Sequence, residues 1–336
     1  MPVAPREPGD GRRLLTVTAS PGAAVIEQAP APGTFGAMPV EPVTRSFGSV
    51  GVAMVTPFTD TGELDLDVAQ SLATHLVEGG CDALVVSGTT GESPTTSDVE
   101  KEQLLRAVVE AVGSRAVIIA GVGTNDTAHT LELSRQAAKA GAHGLLAVTP
   151  YYSKPSQAGL IAHFTAVADA TGLPVMLYDI PGRSGIPIQT ETLLQLAEHP
   201  RIVAVKDAKD DLYAGSWLLD RTGLEVYSGS DQLNLPWLSI GGSGMISVVG
   251  HVAAAQYRRM VEAVDAGDLV TARRINSEVL PAVRGVMTRA QGAVMAKAAL
   301  ELMGVLPNRT VRLPQTAATN EEVALLRSDL EEAKLL

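Results

Sequence analysis

The chain has 336 residues, 46% of them apolar and 19% charged, which supplies material for a large core and excludes a mainly disordered polymer. Its 26 Lys and Arg against 37 Asp and Glu leave a net charge of −11, which argues against nucleic acid or an anionic membrane surface as the main partner. One cysteine, Cys81, excludes an intrachain disulfide and suits a reducing cytoplasm.

Residues 1–45 carry eight prolines (Pro2, Pro5, Pro8, Pro21, Pro30, Pro32, Pro39 and Pro42) among Gly and Ala without apolar periodicity, and read as a disordered tail. Thr16, Thr18, Ser20, Pro21 and Gly22 interrupt any apolar run after Arg12-Arg13, so no secretory signal is expected. Met38, just upstream of the folded pattern, is an alternative translation start.

From Ser49 onward, runs rich in β-branched and apolar residues fall at 50–56, 83–87, 116–122, 144–149, 175–179, 202–206, 224–228 and 244–249. Each is followed by an amphipathic segment, and the runs are nearly unbroken, as strands buried on both faces require. Ser97 with Glu100 forms a capping-box signature for one intervening helix, and Thr319 with Glu322 another near the end. From about residue 253 to 303 the pattern is helical. No Lys, Arg, Asp or Glu lies between Asp231 and Arg258, yet Asn234, Pro236, Gly241, Gly242 and Gly244 break that stretch, so a buried strand flanked by helices is expected and not a membrane span.

About eight βα units imply an α/β fold, a closed (β/α)8 (TIM) barrel over 46–268 with a C-terminal helical extension over 269–336. An open doubly wound sheet would carry a Gly-rich dinucleotide loop after its first strand, where this chain has Val55-Thr56-Pro57-Phe58.

Chemistry in such barrels stands at the C-terminal strand ends. The second strand is followed by Gly88-Thr89-Thr90-Gly91-Glu92-Ser93, small and hydroxylated residues suited either to grip a carboxylate or phosphate or to serve as an ordinary turn. Thr149-Pro150-Tyr151-Tyr152 follows the fourth strand, and Tyr178-Asp179-Ile180-Pro181-Gly182-Arg183 closes the fifth, placing three of six tyrosines at strand ends. Lys206 terminates the apolar sixth strand. It is either ion-paired, for instance with Asp207, or an amine whose pKa desolvation draws from about 10.4 towards about 7–8, making it a nucleophile for carbonyl carbon. The six histidines lack metal-ligand spacing, so no metal is expected. Gly241-Gly242-Ser243-Gly244 before the eighth strand is either an anion loop or tight packing, and Cys81 reads as a small buried hydrophobe.

Gly88-Thr89-Thr90-Gly91-Glu92, Val148-Thr149-Pro150-Tyr151-Tyr152, Leu177-Tyr178-Asp179-Ile180-Pro181-Gly182-Arg183 and Val205-Lys206-Asp207, in this order, closely resemble the dihydrodipicolinate synthases, also named 4-hydroxy-tetrahydrodipicolinate synthases, of actinobacterial type. The resemblance runs from about Ser46 to the C-terminus. It implies that Lys206 forms a Schiff base with pyruvate, that Tyr178, Thr89 and Tyr152 relay protons, and that Tyr152 reaches into a neighbouring subunit's site. It further implies that Thr90 binds the pyruvate carboxylate, that Gly229 and Ile246 line the same pocket, and that Arg183 holds the carboxylate of aspartate semialdehyde. No cofactor and a cytoplasmic homotetramer built as a dimer of dimers are implied, in diaminopimelate and lysine biosynthesis.

Two departures are Gly182, where some members have serine, and Ser230, where many have an acid. Some members bind lysine near the positions of Ser93, Asn125 and Tyr151; feedback-inhibited bacterial members carry two histidines and a glutamate there, where this chain has Asp98, Lys101 and His129, so weak or absent lysine inhibition is expected. Rival readings are a sister pyruvate aldolase of the N-acetylneuraminate lyase kind, against which Arg183 stands, and a non-catalytic phosphate-binding barrel.

Overall fold

The computed structural model describes residues 43–336, so the tail assigned to residues 1–45 lies outside it except for its last three positions. Eight parallel strands close into a barrel in sequence order: β1 Val50–Ala53, β2 Ala83–Val86, β3 Val117–Gly121, β4 Gly144–Val148, β5 Val175–Asp179, β6 Ile202–Asp207, β7 Glu225–Ser228 and β8 Gly244–Ser247. The open doubly wound alternative fails, because β8 pairs back onto β1 through Val50↔Met245, Gly51↔Ile246 and Val52↔Ser247. All eight apolar runs contain a strand, most of them shorter than the run. Except at 116 and 224, which precede β3 and β7, the surplus residues leave the ladder at the C-terminal ends, as where the buried Thr56 hydroxyl donates to Gly91 O at 2.6 Å.

The helices are α1 Leu66–Glu78, α2 Asp98–Val112, α3 Thr127–Lys139, α4 Gln157–Asp169, α5 Pro181–Ser184, α6 Thr190–Leu196, α7 Leu212–Arg221, α8 Asn234–Ser239, α9 Gly250–Asp265, α10 Leu269–Met287, α11 Gly292–Leu302 and α12 Asn320–Glu332. Ser97 and Glu100 form the capping box of α2, and Thr319 and Glu322 that of α12. The helical stretch expected over 253–303 is three helices, because Asp268 and Gln291 cap new starts at α10 and α11. The uncharged stretch becomes a short helix, a strand and the start of α9, and no helix among the described residues is long and apolar enough to cross a membrane.

Strand side chains alternate between two cores. One layer faces the helices, with Val52, Leu84, Ile118, Leu145, Val205 and Val226 among its members. The other fills the barrel interior with Ala53, Val85, Ile119, Leu146, Met176, Tyr178, Ala204, Tyr227 and Ile246. Phe47 seals the end opposite the C-terminal strand ends, packed edge to face on Tyr227 at 6.2 Å. Glu225 accepts from Ser46 N and from the Tyr227 hydroxyl, each at 2.7 Å, and Arg45 pairs with Asp265 at 2.7 Å. Chain entry is thus pinned to the barrel floor.

Candidate active site

At the C-terminal mouth lies a cavity of about 570 Å³ whose wall includes Thr89, Tyr151, Tyr178 and Arg183. The register of β5 against β6 sets Tyr178 opposite Lys206 and Asp179 opposite Asp207. Alternation then sends Tyr178 and Lys206 inward, and the Lys206 ammonium sits 4.2 Å from the centre of the Tyr178 ring. Both are buried, Lys206 4% and Tyr178 5% exposed, so water solvates neither charged form well.

Burial lowers the Lys206 pKa from 10.5 to about 8; the Asp231 carboxylate opposes the fall and the Arg183 guanidinium adds to it. The Tyr178 phenol is pushed up to about 12 by burial, with Arg183 and then the Thr89 side chain pulling the other way. At neutral pH the pair therefore offers a tenth or so of its amine unprotonated beside a neutral phenol. The alternative of an ion pair between Lys206 and Asp207 fails. Asp207 accepts the backbone N–H groups of Lys209 (3.2 Å) and Asp210 (3.0 Å), and burial lifts its own pKa to about 7.

The remaining residues singled out from sequence divide. Ile246 joins the interior cluster that holds Tyr178, and Thr90 is buried in the turn after β2. Gly229 packs against the lysine itself: a Cβ there would stand 2.8 Å from Asp207 O and 3.1 Å from Lys206 Cε. Arg183, on α5, reaches the cavity from its exposed rim. Tyr152 does not join the others. It is 89% exposed, with φ at 72°, and only Tyr151 of the tyrosine pair lines the cavity.

Asp231 escaped sequence reasoning. Only 4% exposed, it accepts Val248 N at 2.9 Å, Val249 N and Asn234 Nδ2 each at 3.1 Å, the Tyr257 hydroxyl at 3.2 Å and the Ser247 hydroxyl. Five donors from α8, β8, the turn after β8 and α9 thus fix the charge that opposes Lys206 desolvation. Its signal was its place, two residues beyond Gly229. Ser87 is the second omission; it lines the cavity with φ at 58°, and Gly121 leaves room for it, since a Cβ there would meet Ser87 O at 2.4 Å.

The outer cavity wall carries Ser93, Asn125, Asp98, Lys101 and His129. Asp98 does point into this wall, but Oδ2 lies 2.9 Å from His129 Nε2 and Oδ1 3.9 Å from Lys101 Nζ. The Gly241–Gly244 turn sits before β8, at the barrel end opposite the mouth, and Ser243 N donates to Val226 O at 2.8 Å, so the anion-loop reading does not hold. Among the described residues no three His, Cys, Asp or Glu side chains gather to hold a metal ion. His251, for example, accepts Val55 N at 3.1 Å inside the core, and Cys81 is 3% exposed with its thiol pushed up to about 12 by burial.

Fold and site together define a closed βα barrel in which a desolvated lysine amine lies against a buried phenol that lines a cavity at the strand ends. Residues 46–333 match the model of the dihydrodipicolinate synthetase family, and the chain belongs to that family. It is 68% identical over 291 residues to a 4-hydroxy-tetrahydrodipicolinate synthase of Kineococcus radiotolerans, covering 87% of this chain and 94% of that one. Identity to 4-hydroxy-tetrahydrodipicolinate synthase 2 of Streptomyces coelicolor is 61% over 284 residues, with 84% and 94% covered. The crystal structure of the enzyme from Cyanidioschyzon merolae with lysine bound superposes with a TM-score of 0.84 at 43% identity, over 87% of this chain and 100% of that chain.

Proposed function

We propose that the protein is a 4-hydroxy-tetrahydrodipicolinate synthase that condenses pyruvate with aspartate semialdehyde, in diaminopimelate and lysine biosynthesis. The observation that carries the reading is the buried Lys206 amine, drawn down to about 8 and stacked on Tyr178, whose side of the pair lines the cavity.

Lys206 Nζ attacks the ketone carbon of pyruvate, and a proton delivered by Tyr178 allows the carbinolamine to lose water as the imine forms. Loss of a methyl proton gives the enamine, whose carbon adds to the aldehyde of aspartate semialdehyde. The substrate's own amine then attacks the imine carbon, closing the ring and returning the lysine. Thr89 passes protons from Tyr178, Thr90 binds the pyruvate carboxylate, and Arg183 holds that of the aldehyde as a two-pronged donor at the rim. Gly229 leaves Lys206 the room it needs, and Ile246 supplies an apolar wall. The chemistry uses no cofactor.

Tyr152 completes the relay in the pocket of a second copy, within a cytoplasmic homotetramer. Support comes from its 89% exposure in a left-handed conformation that a side-chain residue rarely adopts. Tyr213 and Trp217, exposed on α7 and packed edge to face at 6.4 Å, offer a further apolar contact between copies.

Incubation with pyruvate and borohydride followed by intact-mass measurement tests the reading. A stable pyruvyl adduct mapped to Lys206 is expected, and an adduct on another lysine, or none, overturns it. A panel of aldehydes then separates the synthase from a sugar-acid aldolase. Arg183→Lys is expected to impair aspartate semialdehyde use more than adduct formation.

A further inference from the structure

The last residue of the Gly88-Thr89-Thr90-Gly91-Glu92 motif takes no part in the chemistry above, yet it is 5% exposed and held in the left-handed region at φ 54°. Its carboxylate is gripped from one direction. Lys297 Nζ, on α11, donates to Oε1 at 2.5 Å, and the backbone N–H of Arg312, between α11 and α12, donates to Oε2 at 2.9 Å. Lys297 is itself only 1% exposed; it also donates to Thr310 O at 2.7 Å and lies 4.2 Å from the centre of the Phe58 ring, on the loop after β1.

The Arg312 guanidinium continues the grip. It donates to Gly62 O and Thr95 O at 2.8 Å each, pairs with Glu100 at 2.5 Å on the first turn of α2, and covers the same Phe58 ring at 4.3 Å. Two strand-end neighbourhoods of the mouth, the loop after β1 and the turn from β2 into α2, are thus fastened to one segment of the C-terminal extension. The grip passes directly to the substrate side of the turn, because Glu92 N donates to Thr89 O at 3.1 Å and Ser93 N to Gly88 O at 3.3 Å.

We infer that Lys297 is a positioning residue: through Glu92 it sets the conformation of the Thr89-Thr90 turn, and so the turn's affinity for the substrate carboxylate. The inference rests on the role proposed above for Thr90 in binding pyruvate. A hydrogen-bonding turn is effective only when its donors are already aimed, and displacement by about 1 Å can cost on the order of 100-fold. Glu92 without its cation is a buried, half-satisfied carboxylate, which relaxes by leaving the left-handed conformation or by drawing in water; either movement disturbs Thr89.

The test is borohydride trapping on Lys206 across a pyruvate titration, with melting temperature recorded in parallel. The variants are Lys297→Met, Glu92→Gln, which keeps the shape and one acceptor oxygen while removing the charge, and the double variant, which leaves neither charge buried. Expected is a rise of about tenfold in half-saturating pyruvate for Lys297→Met and the double variant, a smaller rise for Glu92→Gln, and near wild-type adduct at saturation. A lowered melting temperature with wild-type half-saturation in all soluble variants means a purely structural ion pair and overturns the inference. If Lys297→Met does not fold, the other two decide by the same criterion. A wild-type chain that traps no pyruvate overturns the proposed function first, a result visible before any variant is read.

Discussion

Replacing Lys206 by methionine should abolish pyruvate trapping and make the folded protein more stable. The lysine is 4% exposed, and its pKa falls from 10.5 to about 8, chiefly through burial. At about 1.4 kcal/mol per pH unit, that fall means a penalty of about 3 kcal/mol for holding the protonated amine in place at pH 7. Below pH 8 both folded and unfolded chains carry the proton, and the penalty is complete. Between pH 8 and 10.5 the unfolded chain keeps a proton that the folded chain has released, so wild-type stability climbs with pH; above 10.5 the penalty is gone. Methionine, similar in length and uncharged, removes the penalty at every pH. The variant should therefore melt on the order of 5 °C higher at pH 7, with the gap shrinking as pH rises through 8 towards 10.5. Melting curves of both chains at equal concentration across pH 7–10 test this. A variant no more stable than wild type at pH 7, or a gap that does not depend on pH, refutes the reasoning.

Tyr178→Phe should keep pyruvate binding while slowing turnover by about 10²–10⁴-fold, since it removes the proton carrier and little volume; steady-state rates beside adduct yield check it. Gly229→Ala should lower adduct formation by one to two orders of magnitude, because the added methyl would lie 2.8 Å from Asp207 O and 3.1 Å from Lys206 Cε, and wild-type trapping in this variant would show that the lysine has slack. Lysine should inhibit weakly or not at all: the Asp98 carboxylate in the outer wall is already shared by His129 and Lys101, so an incoming ammonium must displace them. Initial rates over a lysine titration at limiting and saturating pyruvate decide this, and inhibition below millimolar lysine would refute it.

The strand runs were legible because parallel strands buried on both faces must be nearly all apolar, which left Lys206 conspicuous at the end of one. Capping boxes were legible for a similar reason, since Ser97 with Glu100 and Thr319 with Glu322 act across three residues. What escaped depends on closure. Asp231 gathers donors up to 26 residues away, and Glu92 meets Lys297 across 205 residues; no local pattern marks either partner, because the barrel brings them together. The short strands escaped for a different reason, as residues such as Thr56 are apolar enough to continue a run but bond across to a neighbouring loop.

The outward tyrosine has a consequence for genetics. If Tyr152 serves the neighbouring pocket, then Lys206→Ala and Tyr152→Phe damage different parts of one shared machine, and each impaired chain still carries what the other lacks. Dissociated, mixed and reassembled, the two should complement: a hybrid pair holds one pocket with its own lysine and a borrowed tyrosine, and random reassortment restores about a quarter of the wild-type pockets. Two alleles of this gene, each impaired alone, would then support growth together, as two defects confined within a single chain's own pocket would not.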